Sequence, residues 1–331
     1  MNILIRGDGV AASCCARLLT RYGIAVATQS ADRPAQPVVM LSDPALMLLR
    51  DVLSEPNLFA NSLHIDRRVV AWGSAEPTAM PHSATIVTGA DLEAALFARA
   101  MPSMDMLPNF TVHAAARAGA GNTKRFGARA AVAIEVCLRD GEDATACWIE
   151  SLDAGWLFLI PSARECAWLL CVGLALDDAL AQSRLVTPRI IMASPDPQIF
   201  DPTPRIATEL SGSDWLACGG GAIAFDPICG DGTAQAVREA ILASAVACAI
   251  RDGGDAAALT AHYGAMLTAA MRRHLQLSAP FYRAGGSGAW WSQAHDALAQ
   301  GHDWCTALLA MLPEPRFVLR DYSLVEREQA A

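Results

Sequence analysis

The stretch from Met1 to Ser30 constrains the fold more than any other part of the chain. Asn2 to Arg6 is a short apolar run, Gly7-Asp8-Gly9-Val10-Ala11-Ala12 follows, an apolar segment continues to Tyr22, and after Gly23 a second apolar run covers Ile24 to Thr28. Strand, turn, helix and strand in that order make the crossover of a parallel sheet. The first glycine permits the tight turn, the second lets backbone approach a pyrophosphate, and Ala12 is small where helix meets strand. Gly7, Asp8, Gly9, Val10, Ala11 and Ala12 are therefore expected to hold a dinucleotide. Such a motif carries an acid roughly 20 residues on, at the end of the second strand, for the ribose hydroxyls. Gln29 and Ser30 stand there instead, and Asp32 is the nearest acid. Three readings stay open: Asp32 substitutes from a shifted position, the Gln29 amide and Ser30 hydroxyl bind more weakly, or the ligand is lost. Arg33 is either a phosphate contact or a solvated loop arginine.

A second constraint lies at Gly219 to Ile250. A nearly side-chain-free loop turns through Asp226-Pro227 and Gly230-Asp231-Gly232, then feeds an alanine-rich helical segment from Thr233. A loop aimed at a helix N-terminus offers free N–H groups and the positive end of the dipole to a flat, negatively charged ligand. The plainer alternative is a glycine turn that only caps a packed helix.

Between these stretches the pattern is mixed. Residues 31 to 43 read as irregular and Pro44 to Val52 as a helix. Arg67 to Trp72 and Ser83 to Val87 read as paired strands, Asp91 to Met101 as a helix, and Phe110 to Ala116 as a returning strand. Ala130 to Leu138, Ala146 to Leu152, Trp156 to Ile160 and Ala167 to Gly173 alternate as an antiparallel sheet. Residues 177 to 205 suggest a helix and loops, and Trp215 to Cys218 a strand. Asp255 to Leu277, Trp290 to Gln300 and Trp304 to Leu312 suggest an all-helical C-terminal quarter.

With 331 residues, 53% of them hydrophobic, the chain can bury a large core. A formal charge of -9 without a basic cluster argues against nucleic acid. No run of roughly 18 apolar residues suggests a membrane span, and Met1 leads straight into a strand, so a cytoplasmic protein is expected. The 10 cysteines show no CxxC pair or histidine at metal-ligand spacing, so buried thiols rather than a metal site are expected.

The run Gly219 to Gly232 resembles the loop along the isoalloxazine ring in class A flavin monooxygenases and flavin-dependent halogenases, approximately GDAAxxxDPxxGxG. Asp226, Pro227, Gly230 and Gly232 match, while Gly220 replaces an aspartate that holds the ribityl chain. Ala115-Ala116-Arg117 with Arg125-Phe126-Gly127-Ala128-Arg129 resembles the family's "aspartate, small, small, Arg … Gly-Ala-Arg" segment, with His113 at the aspartate. Trp156-Leu157-Phe158-Leu159-Ile160-Pro161 resembles the halogenase signature WxWxIP. Aromatic residues two apart share one strand face, so Trp156 and Phe158 either separate flavin from substrate or are sheet core.

The resemblance implies an α/β fold: a Rossmann-type FAD-binding domain (1–60, 88–129 and 206–255) interleaved with an antiparallel substrate sheet (61–87 and 130–205), plus a C-terminal helical region (256–331). It implies FAD, reduction by NAD(P)H or a flavin reductase, and hydroxylation of a small-molecule or peptidyl aromatic substrate through a flavin hydroperoxide. The cofactor residues would be Gly7 to Ala12, Gln29, Ser30, Arg33, Arg117, Gly219, Gly220, Asp226, Pro227, Gly230, Asp231, Gly232 and Thr233. Trp156 and Phe158 would face the chemistry, and His82 either joins them or is a loop histidine without a chemical role. Hydroxylation is expected over halogenation, because halogenases use a tunnel lysine and the single lysine, Lys124, lies outside the corresponding excursion. Ser30, His113 and Gly220, all at acidic positions of the family, keep a rival open: a binding or scaffold protein with weak or no FAD binding. A flavin oxidase or dehydrogenase is the second alternative.

Overall fold

The computed structural model describes residues 1–31, 36–97, 107–116, 123–192 and 196–327. Asp32, Arg33 and Arg117 lie outside the described residues.

The N-terminal run folds as expected into β1 (Asn2–Arg6), α1 (Val10–Arg21) and β2 (Ala25–Gln29). Cys14, Cys15, Leu18 and Leu19 line the buried face of α1, which is why the segment is helical and where it packs. The stretch expected to be irregular instead contains β3 (Val38–Ser42), whose apolar run Val38 to Leu41 outweighs the prolines before it. Next come α2 (Asp43–Leu53), started by a proline in its first turn, then β4 (Leu63–Ala71), β5 (Thr78–Thr88), α3 (Gly89–Phe97) and β6 (Phe110–His113). β7 (Thr123–Arg125) precedes four strands of the larger sheet: β8 (Ala131–Leu138), β9 (Ala146–Leu152), β10 (Gly155–Pro161) and β11 (Cys166–Val172). Alternating burial on β8 and β9 and near-complete burial of β10 explain why these strands were legible. After α4 (Leu176–Gln182), short strands β12 (Ile190–Met192), β13 (Gln198–Phe200), β14 (Arg205–Ala207), β15 (Trp215–Ala217) and β16 (Ile223–Ala224) lead to α5 (Gly232–Arg251).

Two C-terminal expectations are corrected. The helices expected at 290–300 and 304–312 are one, α7 (Ala289–Ala310), which follows α6 (Ala256–Gly285). Gly301 does not break α7; it makes room for Phe126, whose ring would lie 2.4 Å from a Cβ at that position. The region is not all-helical either, because β17 (Phe317–Arg320) and β18 (Ser323–Glu326) form a hairpin. Its turn is made by Asp321 and Tyr322 at positive φ, 47° and 64°, with no glycine to announce it.

β15, β6, β1 and β2 form a parallel sheet in that order. The larger sheet follows the path β12-β8-β11-β10-β9-β4-β5-β3, with β13 also on β8, and it is mixed rather than purely antiparallel because β4 runs parallel to β9. One core joins the parallel sheet, α1, α2 and α5 to the inner face of β10 and to α6 and α7, while a second lies on the outer face, around Leu157 and Leu159. α5 is long and apolar enough to cross a membrane, yet 67% of its most apolar window is buried inside the protein, as a central helix.

Candidate functional site

The parallel register brings Gln29, Arg6, His113 and Ala217 into one row across the carboxyl edge of β2, β1, β6 and β15. Open α/β sheets place ligands at this edge. A cavity of about 290 Å³ opens there, lined by Arg6, Gln29, Ser30, Ala31, His113, Ala115 and Ala116. A second of about 180 Å³ shares His113 and Ala116 and runs on past Arg205, Glu209 and Trp215 to Gly220 and Gly221. The two make one cleft from the end of β2 to the Gly219 loop.

Of the described residues expected to hold the cofactor, Gln29, Ser30 and Gly220 line this cleft, whereas Gly7 to Ala12, Gly219, Asp226, Pro227 and Gly230 to Thr233 line neither cavity. Three separated segments support it. Gly7 packs so closely on the chain leaving β6 that a Cβ would sit 2.7 Å from the Ala115 nitrogen. Gly9, at φ 88°, caps α1 without any side-chain hydrogen bond, and no acid lies in the first turn, so the amides there remain for a ligand. Asp8 turns aside: its carboxylate accepts the Ala31 N–H at 2.8 Å and ties the turn to the rim below Ser30. In the third segment Gly219, at φ 54°, donates its N–H to Glu239 Oε2 at 2.7 Å. Glu239 is buried in α5, and burial pushes its carboxyl well above the ordinary range. Gly221 is clamped between the His113 and Ala115 carbonyls, each 2.6 Å from where a Cβ would be, but Gly220 is exposed and meets nothing closer than 4.0 Å.

Asp226 takes a different place from the one its motif suggested. It is buried, its carboxylate 3.3 Å from the Arg129 guanidinium and accepting hydrogen bonds from Tyr282 at 2.7 Å and the Ile228 N–H at 3.0 Å. Burial raises its pKa, against the opposing pull of Arg129. Its own N–H donates to His274 Nε2 at 2.8 Å, and that imidazole stacks on Phe225 at 4.1 Å between ring centroids. The loop is thus anchored from below to α6 and to the segment before β8.

After Pro227, in the turn Pro227–Cys229, the chain reaches Gly230 at φ 65°. Asp231 then begins α5 without capping it, because its carboxylate pairs with Arg238 at 2.9 Å. A Cβ at Gly232 would meet no atom within 4 Å, and Thr233 follows in the first turn. The N-terminus of α5 therefore faces open space, as an aromatic ring with developing negative charge requires.

The three residues expected to face the chemistry line neither cavity. Trp156 and Phe158 share the inner face of β10 and are buried in the main core, Trp156 donating to the Tyr282 hydroxyl at 3.4 Å. His82, on β5, is half-buried beside Arg68 of β4, whose guanidinium lies 3.1 Å from Nε2; burial first, and Arg68 second, lower its pKa. The aromatic cluster of Trp72, Phe281, Trp290 and Trp291 holds α6 and α7 on the large sheet, and the Trp72 indole donates to the Phe281 carbonyl. Sequence reasoning missed Arg6, Arg205, Glu209, Trp215 and Glu239. Arg6 had a signal, as the one charged residue of β1, directly before the glycine turn; Glu239 had none, being one polar position in an alanine-rich helix.

The residues fit a dinucleotide with a flat ring. The α1 terminus lacks a side-chain cap, Gly220 and Gly232 leave room, and Arg6 gives the β2 end of the cleft positive charge, while Arg205 shares its stretch with Glu209. The FAD group implied by the sequence would lie with its phosphates at Gly9 and its ring toward Gly220 and α5.

No protein-family model matches the sequence, and no curated protein matches it. Solved structures do. The peptidyl tryptophan dihydroxylase QhpG, essential for tryptophylquinone cofactor biogenesis, is 20% identical with a TM-score of 0.77 over 98% of this chain and 86% of its own. The flavin-dependent halogenase CmlS is 16% identical at 0.74, covering 93% and 71%. A variant of HpxO from Klebsiella pneumoniae, solved with FAD, is 13% identical at 0.61, covering 94% and 95%. Element order, sheet topology and these likenesses agree: the chain has the α/β fold of the flavin-dependent monooxygenases and halogenases.

Proposed function

We propose that the protein is an FAD-dependent oxidoreductase that hydroxylates an aromatic or other electron-rich substrate. The observation that carries this reading is the cleft from Ser30 past His113 to Gly220 and Gly221, together with an α5 N-terminus that no side chain caps. Bound FAD, once reduced by NAD(P)H directly or by a partner reductase, supplies oxygen activation. The chain supplies the rest: α1 amides for the phosphates, Glu239 to hold the Gly219 turn, and the Asp226–Arg129–Tyr282 network to keep the ring loop fixed. QhpG is described as acting on peptidyl tryptophan, which supports an aromatic substrate here, small or peptidyl.

Hydroxylation is favoured over halogenation by the place of the single lysine. Lys124 is exposed on β7, paired in register with Ile206 of β14. Arg68 and His82 occupy the β4–β5 excursion instead, and a guanidinium is a poor stand-in for an amine. The test supplies the protein with FAD, a reducing system, oxygen, bromide and a panel of indoles, phenols and short tryptophan peptides, and reads product mass. A gain of one oxygen is expected; bromide incorporation overturns hydroxylation. If added FAD changes neither flavin fluorescence nor melting temperature, the enzyme reading fails and a scaffold on the same fold takes its place.

A further inference from the structure

Two cysteines depart from the buried thiols expected of this sequence. Cys14, Cys15, Cys147, Cys171, Cys218 and Cys305 are buried, whereas Cys137 of β8 and Cys166 of β11 are half-buried and stand directly opposite each other in the antiparallel register. Residues opposed in this way share one face of the sheet. The ladder around them decides which kind of pair they make. The Leu138 N–H, one residue after Cys137, donates to the Glu165 carbonyl, one residue before Cys166, at 2.9 Å. That puts the two cysteines at a non-hydrogen-bonded position, where Cα atoms approach to about 4.5 Å and side chains come closest. A disulfide spans Cα separations of roughly 4.4 to 6.8 Å, so it can close here without moving the strands. Cys229 and Cys248 are half-buried as well, but they lie in the Pro227–Cys229 turn and on α5, with no strand to hold a partner opposite them.

We propose that Cys137 and Cys166 form a modification site, a surface dithiol that hydrogen peroxide converts to an intrachain disulfide. Two thiols and one peroxide give one disulfide and two waters. One thiolate attacks a peroxide oxygen, the O–O bond breaks, and the departing hydroxide takes up that thiol's proton while a sulfenic acid remains on sulfur. The facing thiol then forms the S–S bond and displaces the sulfenic oxygen as the second water. The surrounding charge selects the oxidant. Glu135, exposed two residues before Cys137, and Glu165 flank the pair; burial first, then Cys137, Glu135 and Glu165, raise the Cys166 pKa. Those carboxylates repel an anionic oxidant such as glutathione disulfide and leave neutral peroxide unaffected. A thiol of raised pKa is also a poor leaving group, so the bond once formed reverses slowly and records exposure to peroxide. Cys15 and Cys218 bring their sulfurs to 4.0 Å, but both are buried in the core, away from any dissolved oxidant. The inference goes beyond the FAD reading and does not rest on it, since peroxide from any source serves.

The test exposes the reduced, full-length protein to a small molar excess of hydrogen peroxide, alkylates the remaining thiols and reads the digested peptides by mass. Two thiols should disappear, with the peptide carrying Cys137 joined to the one carrying Cys166 and the join released by dithiothreitol. Cys137→Ser should leave Cys166 as a sulfenic acid that dimedone traps, and Cys166→Ser should do the same at Cys137, with melting temperatures showing that both variants fold. At equal concentration and low salt, glutathione disulfide should oxidise the pair at least about tenfold more slowly than peroxide, and the gap should narrow as salt screens the carboxylates. A bond between any other cysteines, Cys15 and Cys218 included, overturns the site. So does a free Cys137–Cys166 pair in protein whose exposed Met311 has already been oxidised. Glutathione disulfide that keeps pace with peroxide overturns the choice of oxidant. None of these outcomes bears on FAD titration, so failure here leaves the enzyme reading standing.

Discussion

Asp226 has exchanged its water for Arg129, Tyr282 and one backbone amide, and each partner now carries a large share of the cost of its burial. Arg129→Met leaves that carboxylate without a counter-charge and should destabilise the fold by about 3 to 5 kcal/mol. Tyr282→Phe removes one hydrogen bond to it and should cost about 1.5 to 3 kcal/mol. Urea unfolding measures both, and a smaller loss for Arg129→Met than for Tyr282→Phe would contradict the network as drawn. His274 makes the loop acid-sensitive. Burial first, and Arg129 second, lower its pKa to about 3, and Nε2 must stay unprotonated to accept the Asp226 N–H. Because the folded value lies below the unfolded one of about 6.5, its stabilising contribution is complete above that pH and is lost as pH falls, by up to about 1.4 kcal/mol per unit. His274→Gln, which keeps an acceptor without a titration, should flatten the fall in melting temperature between about pH 6 and 4. The motif Asp-Pro was legible in the sequence, but the side chain's direction was not. Whether an aspartate faces a ligand or the core depends on Arg129 and Tyr282, which lie far away in the chain.

Among the elements, the Gly219–Gly221 turn separates two roles that glycine hides in a sequence. Gly221 is closed in by two carbonyls, so Gly221→Ala should cost about 1 to 3 kcal/mol through overpacking. Gly220 faces open cleft, so Gly220→Ala should be nearly neutral, and Gly220→Asp should tighten FAD by about tenfold if it restores a charge-assisted contact. Thermal melts and FAD titration check the pair, and similar losses at both positions would mean that the turn is seated differently. Strands β8 to β11 were legible within a residue or two because alternation on β8, β9 and β11 and the unbroken apolar run of β10 report burial directly. The unforeseen elements lacked such a local cue. β3 sits behind prolines, the β17–β18 turn has no glycine, and α7 continues through Gly301 only because Phe126 needs the space.

At the scale of the whole molecule, the chain leaves the parallel sheet after β2, returns at β6, leaves again for the large sheet and returns once more at β15. The glycine turns and their order sufficed to foresee this architecture, since strand–turn–helix periodicity and sheet alternation are local signals. The cleft was only half legible. Its backbone parts were written as glycines, while its charged wall depends on which strands lie side by side. The row Gln29, Arg6, His113 and Ala217 has a consequence for biosynthesis. Its members and the Gly220 wall leave the ribosome at widely separated times, so a nascent chain that has made only β1, α1 and β2 offers a nucleotide one rim of a groove. A dinucleotide that binds as proposed would stabilise the finished protein by mass action but could not template its early folding. Adding ligand during refolding should raise the final yield of native protein and leave the initial rate unchanged, and an acceleration of the first phase would show that the groove assembles before β15 docks.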